Sequence, residues 1–218
     1  MRPRVVIHNA VSVNGVLSGF DIDLGLHYRL AGELGCDATL VGSGTILASP
    51  EGRSIDDPTE ESTAASSATG SVLVVADGRG RVRCWSALQS AGYWKRYVSL
   101  ATTSTPREHL EYLRRRGVSV IVAGDERIDF ADALERLADA SGITAVRVDS
   151  GGTLNGVLLR DGLVDELSVV VQPALTFASD AVPQFRSAEG MPSSVGLRLR
   201  GVEQFDGGEV WLRYDIVR

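Results

Sequence analysis

The sequence predicts an α/β protein, a mainly parallel sheet flanked by helices and finished by a C-terminal antiparallel hairpin. Three observations carry that expectation. From residue 71 to 172, short apolar runs alternate with helically spaced segments, which is the pattern of βαβ crossovers. Two glycine-rich stretches each follow an apolar run, where such sheets gather ligands at the carboxyl ends of their strands. Asp206-Gly207-Gly208 separates the last two strands as a hairpin turn does.

Taken in order, residues 4–11 read as a strand and Val13-Asn14-Gly15 as a turn, because Asn-Gly readily supplies positive φ. Leu26, Leu30 and Leu34 recur at helical spacing over 24–34, and 37–41 is a buried strand entering a tight loop. Residues 49–70 change character, with Pro50, Gly52, Pro58, Ser, Thr and acids, and read as a long surface insertion. Both its flanks read as strands of the sheet, so the chain is expected to form one domain over 1–218. Further strands fall at 72–76, 97–101, 118–123, 144–148 and 164–172. Helices fall at 106–116, where Thr105 is an expected N-cap with Glu108 completing a capping box, and at 129–140 and 153–160. Strands at 196–204 and 209–217 close the chain.

The 218 residues suffice for a full hydrophobic core. A formal net charge of -6 argues against a nucleic-acid footprint. The Arg114-Arg115-Arg116 run reads as a solvated helix end complementing the dipole. Cys36 and Cys84 make no disulfide framework, and His8, His27 and His109 are too scattered for a metal site. No apolar run is long enough for a membrane span, and none follows the short basic start as a signal region, so a cytoplasmic protein is expected.

The strongest local feature is Val148-Asp149-Ser150-Gly151-Gly152-Thr153-Leu154-Asn155-Gly156. A strand ends at an acid, two glycines follow, and a helix begins. Glycines let backbone approach a phosphate, while helix N-terminal amides bind its charge. A tight strand-to-helix turn that binds nothing has the same spacing. Gly42-Ser43-Gly44-Thr45 begins like a dinucleotide fingerprint, but Leu47 stands where the third glycine belongs. Two such loops can still grip one dinucleotide from different strands. Asp77-Gly78-Arg79-Gly80-Arg81 also follows a strand. Its arginines suit an adenosine 2′-phosphate, hence NADPH over NADH, and equally suit a plain solvated turn.

Together these segments resemble the riboflavin-biosynthesis pyrimidine reductase family, which has a dihydrofolate-reductase-like fold. The resemblance is most specific over 149–173: Gly151-Gly152-Thr153-Leu154-Asn155-Gly156, Leu158-Leu159-Arg160, Gly162-Leu163-Val164-Asp165-Glu166-Leu167 and Gln172-Pro173. It extends to Ser12-Val13-Asn14-Gly15, to 41–45 and to 77–81. It implies NADPH-dependent reduction of a ribosylamino-pyrimidine phosphate to its ribitylamino form, by a homodimer. It also implies that Gly151 through Val157, and among them Gly151, Gly152, Thr153, Leu154 and Asn155, cradle the cofactor phosphates, and that Thr45, in the loop that also holds Gly42 and Gly44, touches the cofactor. Gly78 falls near the adenosine ribose, with Arg79 and Arg81 beside it. Asp149 stands where the family places a substrate-facing carboxylate, usually Glu. It either orients substrate and assists proton movement or caps the helix at Thr153. Asn9 and Ser12, near the end of the first strand, are expected to line the pocket, and Asp165-Glu166 to start and orient a strand.

Two departures bear on the substrate. Ser49-Pro50-Glu51 stands where the family has Asp-Asp-Pro, while Asp56-Asp57-Pro58 comes slightly later. Glu33 replaces an arginine associated with the substrate phosphate, and a carboxylate repels phosphate. A dihydrofolate or pterin-like reductase on the same fold, and a catalytically idle NADPH-binding protein, therefore stay open. On this reading Gly152→Asp abolishes NADPH binding and leaves the protein folded.

Overall fold

The structure, a computed structural model, describes residues 1–57, 71–187 and 189–217. In chain order the elements are β1 (Arg4–Ser12), α1 (Leu24–Glu33), β2 (Ala38–Gly42), α2 (Ser43–Ala48), β3 (Val72–Ala76) and α3 (Trp85–Ser90). They continue with β4 (Arg96–Ala101), α4 (Arg107–Arg115), β5 (Ser119–Val122), α5 (Phe130–Ser141) and β6 (Ala145–Val148). The chain ends with α6 (Gly152–Arg160), β7 (Glu166–Gln172), β8 (Gly196–Gln204) and β9 (Val210–Val217). Two compact units result: Met1–Pro3 with Asp37–Thr144, and Arg4–Cys36 with Ala145–Arg218.

In the first unit β2, β3, β4 and β5 pair in sequence order, all parallel, with Ala38 opposite Val72 and Val72 opposite Arg96. Parallel neighbours need crossovers, and α3 and α4 supply two of them. β3, Val-Leu-Val-Val-Ala, is almost wholly buried, as strands covered on both faces are. Its Leu73 and Val75 join Trp85, Leu88, Tyr97, Tyr112 and Leu113 in one apolar cluster. Asp129 opens α5 by accepting from the amides of Ala131 and Asp132, and Gly142, left-handed at φ 64°, closes it.

Thr105 does not cap α4. Its hydroxyl donates to the Gly78 carbonyl (2.7 Å) and accepts from the Thr102 amide (2.9 Å), so it ties two loops together instead. No side chain caps that helix, and Glu108 faces Arg83 at 3.8 Å. α3, unforeseen in the sequence, is six residues long and takes its N-terminal hydrogen bond from Asp56, whose carboxylate accepts from the Ser86 amide.

In the second unit β6, β1 and β7 are parallel, with Ile7 opposite both Val148 and Leu167. β9 pairs antiparallel with β7, and β8 with β9, through the Gly208 turn at φ 89°. α1 lays Leu26, Leu30 and Leu34 against Val6, Val170 and Trp211. Asp165 and Glu166 are structural, as expected. Asp165 accepts from the Val5 amide (2.8 Å), and Glu166 pairs with Arg4 (2.7 Å) and Arg200 (2.8 Å).

The expected insertion at 49–70 is described only as far as residue 57, and residues 58–70 lie outside the described residues. Glu51–Arg53 forms one tight turn, and Asp56 then enters the first unit's core. Its carboxylate accepts from Tyr112 Oη (2.7 Å) and faces Arg116 Nε (3.6 Å). Arg116 itself is 2 % exposed and donates to the Asp57 carbonyl and to Ser86 Oγ. The reading of the arginine run as a solvated helix end therefore fails at its last member: a buried carboxylate needs a buried cation. Burial above all, then the hydrogen bond and charge of Asp56, raises the Tyr112 hydroxyl far above its ordinary value. Arg116→Leu leaves Asp56 buried without its cation, and is expected to cost about 3–5 kcal/mol, measured by urea denaturation.

Candidate functional site

The carboxyl ends of β1 and β6 meet in the second unit through two buried amides. Asn9 Nδ2 donates to the Ser150 carbonyl (3.1 Å), and Asn9 Oδ1 accepts from Asn155 Nδ2 (2.9 Å). Asn155 also donates to the Gln184 carbonyl (2.9 Å), so a segment after β7 is tied to the same point. Asn9 and Asn155 thus fix the start of α6. Ser12 is buried and donates to Asn14 Oδ1 (2.8 Å), while Asn14 clasps the Thr176 backbone through Nδ2 (2.7 Å). Both Asn9 and Ser12 lie where the sequence put them, at the end of the first strand, with their polar atoms engaged in the scaffold.

α6 begins with Gly151 in an extended conformation, no side chain caps it, and no acid stands in its first turn. Nine residues long, it presents N-terminal amides and the positive end of a dipole. Its glycines have a second cause. A Cβ at Gly152 would come 2.4 Å from the Pro183 carbonyl oxygen, and one at Gly156 2.1 Å from that of Arg186. One turn apart on the helix, they let residues 183–186 cross it at backbone distance, where the Arg186 amide donates to the Gly152 carbonyl (2.9 Å). Gly151 differs: its Cβ would meet only Val182, at 3.7 Å. The expectation that Gly152→Asp leaves the protein folded is therefore corrected, because a side chain there displaces backbone.

Asp149 follows β6 with its side chain 28 % exposed. His27 Nε2 lies 3.8 Å and Arg147 Nη2 4.0 Å from its Oδ2. Burial pushes the carboxyl up, but the facing His27, aided by Arg147 and His8, outweighs it and holds Asp149 below the ordinary carboxylate value. It does not cap Thr153, and Gly151 holds the N-cap position.

Behind His27 stands a polar chain that the sequence did not reveal. The His8 ring stacks on that of His27, centroids 4.4 Å apart. His8 Nε2 bonds the His27 carbonyl (3.1 Å), which can only accept, so the proton sits on Nε2. His8 Nδ1 therefore accepts from Ser168 Oγ (2.8 Å), which accepts in turn from Trp211 Nε1 (2.7 Å). Burial first, then the facing His27, lowers the His8 imidazole to about 3. Only His8 and His27 stood out in the sequence, as lone histidines. Ser168 and Trp211 carried no local signal.

In the first unit, the two remaining loops join. Arg81 Nη2 donates to Ser43 Oγ (2.7 Å), linking 78–81 to the start of α2. Gly42 precedes that helix, and Gly44 and Thr45 lie exposed in its first turn. Buried Asp77 accepts from the amides of Arg81 (3.0 Å) and Val82 (2.8 Å) and faces His109 Nε2 at 3.6 Å. Gly80 takes φ 64°, and a Cβ there would strike the His109 ring at 2.8 Å. The Gly78 carbonyl is held by Thr102 and Thr105, leaving Arg79 and Arg81 exposed on a fixed loop. Among the described residues no helix is long and apolar enough to cross a membrane.

The family described as RibD C-terminal domain matches residues 31–211. The chain is 32 % identical over 191 residues to a 2,5-diamino-6-ribosylamino-4(3H)-pyrimidinone 5′-phosphate reductase of Methanothermobacter thermautotrophicus, covering 83 % of this chain and 82 % of that one. It superposes on a pyrimidine reductase-like protein of Corynebacterium diphtheriae with a TM-score of 0.70 at 18 % identity, over 99 % of this chain and 92 % of that one. Dihydrofolate reductase of Enterococcus faecalis gives 0.50 at 13 % identity, over 99 % and 97 %. At those identities the structural likenesses show the fold, which is α/β and dihydrofolate-reductase-like as the sequence indicated.

Two outcomes follow from this geometry. Gly152→Asp is expected to lower the melting temperature, whereas Gly151→Asp places a favourable N-cap and leaves it unchanged or higher, as circular dichroism would record. Neutral His8 binds no proton in the folded state between its ordinary 6.5 and about 3, while the unfolded chain does. Stability should therefore fall as pH drops through 6.5, by up to ~1.4 kcal/mol per pH unit. His8→Gln should flatten that slope in denaturation series at several pH values.

Proposed function

The chain belongs to the RibD C-terminal domain family, and from that premise we propose that it is a pyrimidine reductase of riboflavin biosynthesis, converting a ribosylamino-pyrimidine phosphate to its ribitylamino form with NADPH. The observation that carries this reading is the likeness, along most of both chains, to a reductase named for that substrate. A homodimer in the cytoplasm is part of the proposal.

Each unit offers groups that suit the cofactor. The uncapped, acid-free start of α6, over Gly151, Gly152, Thr153, Leu154 and Asn155, supports a phosphate against its amides. Exposed Arg79 and Arg81, on a loop fixed by Asp77 and Thr105, suit the adenosine 2′-phosphate, with Gly78 at the ribose. Gly42, Gly44 and Thr45 contribute backbone and hydroxyl contacts at the start of α2. NADPH, when bound, supplies the hydride.

The chain's own work is to hold the substrate and manage a proton. Asp149, kept as a carboxylate, accepts hydrogen bonds from the amino groups of the pyrimidine and orients the ring. Asn9 and Ser12 are part of the same proposed pocket, and Asn9 holds the loop that carries Asp149 through the Ser150 carbonyl. Glu33 favours a second reading, a pterin-like substrate without phosphate. Its carboxylate pairs with Arg29 one turn earlier at 3.6 Å, which takes up the charge a phosphate would need.

Loss of NADPH absorbance with the ribosylamino-pyrimidine phosphate, run beside dihydrofolate, tests the assignment. Turnover of the pyrimidine is expected, and turnover of dihydrofolate alone moves the protein to the second reading. Asp149→Asn should lower kcat/KM about a hundredfold with NADPH affinity unchanged. Gly151→Asp should abolish NADPH binding in a folded protein, and Arg79→Ala with Arg81→Ala should raise KM for NADPH about tenfold or more without altering NADH.

A further inference from the structure

We propose that His27 is the positioning residue of Asp149, its own backbone held by a buried hydrogen-bonded chain that runs from Trp211 through Ser168 and His8 to the His27 carbonyl. The inference rests on the reading of Asp149 as the carboxylate that orients substrate.

The geometry leaves His27 little freedom. Its amide donates to the Asp23 carbonyl at the start of α1 (2.9 Å), and its carbonyl accepts from His8 Nε2. Its ring lies between the stacked His8 ring and the edge of Tyr28, centroids 5.1 Å apart. Its side chain is 7 % exposed, and Nδ1 is buried with no hydrogen-bond partner among the described residues. The Nε2 edge faces Asp149 Oδ2 at 3.8 Å, and a carboxylate, which only accepts, favours the hydrogen on Nε2.

His8 makes this arrangement rigid. Its two nitrogens are committed, one as donor to the His27 carbonyl and the other as acceptor from Ser168, so its ring cannot flip without breaking both bonds. Trp211 fixes the Ser168 hydroxyl as a donor to His8 by occupying its oxygen. The charged and titratable groups facing the pair are His8 from β1, Tyr28 from α1 and Arg147 from β6, while Arg213 of β9 lies over the Trp211 ring at 4.2 Å. Arg147, at 4.0 Å from Asp149, also faces the Tyr28 ring at 6.0 Å. An imidazole set in this way holds one carboxylate oxygen and leaves the other for substrate.

The test needs no substrate for its first part. In protein carrying carbon-13 aspartate, the Asp149 carboxyl is titrated by NMR in the wild type, His27→Phe and His27→Gln. Phenylalanine keeps the ring stacked on His8 and removes Nε2–H; glutamine returns an uncharged N–H. The Asp149 midpoint is expected to rise by about one pH unit or more in His27→Phe and by less in His27→Gln. The acid limb of kcat/KM should move by the same interval, a roughly tenfold loss below the midpoint per unit. An Asp149 midpoint unmoved in both variants overturns the positioning role of His27. A midpoint that moves while kcat/KM shows no acid limb leaves that role standing and removes Asp149 from the reaction instead.

Discussion

A buried imidazole that must stay neutral governs the second unit. His8 sits in the middle of the first strand, wholly excluded from water, and its two nitrogens face a carbonyl and a hydroxyl. Protonation would turn the acceptor nitrogen into a donor aimed at the Ser168 hydroxyl, which already receives the Trp211 N–H. The cost of that mismatch in a low-dielectric interior orders everything around it. It sets the Ser168 rotor, the Trp211 ring, the carbonyl of His27 and thereby the approach of His27 to Asp149. The His27 carbonyl is thereby tied to the C-terminal hairpin through His8, Ser168 and Trp211, while the His27 ring faces the acid that follows β6.

Much of this architecture was legible in the sequence because it is written locally. Apolar runs bounded by glycines gave the strands, and Asp206-Gly207-Gly208 gave the hairpin. The Asn14-Gly15 turn was legible too, with Gly15 at φ 78°. The resemblance to the family singled out Asp149 and the start of α6 as candidates. What could not be read was any partner far away along the chain. Thr105 looked like a cap because caps are local, but its hydroxyl answers to Gly78, 27 residues earlier. Arg116 looked like a solvated helix end because nothing nearby calls for a buried cation; Asp56, some 60 residues earlier, does.

The glycines of α6 illustrate how two physical demands can share one signature. A phosphate loop wants glycine so that backbone can approach an anion, and a crossed helix wants it so that backbone can approach backbone. Gly152 and Gly156 satisfy the second demand by their contacts with Pro183 and Arg186, whereas Gly151 is free of it. A motif read as one function therefore separates, position by position, into two packing residues and one that packing leaves free.

The crossing segment has a dynamic consequence. Residues 174–187 hold almost no regular structure, and they are fastened by scattered bonds: Val13 to Ala174, Leu17 to Val182, Gln184 to Gly15, Arg186 to Gly152. Each bond links this segment to the 13–18 turn or to α6, so none can open far without loosening the rest. Such a strap comes away as one cooperative piece, at a free energy well under that of the buried strands. Its amides should exchange with solvent together, on a common rate, while those of β1 and β6 stay protected. The face of α6 at Gly152 and Gly156 is then uncovered in a minor population of an otherwise intact protein.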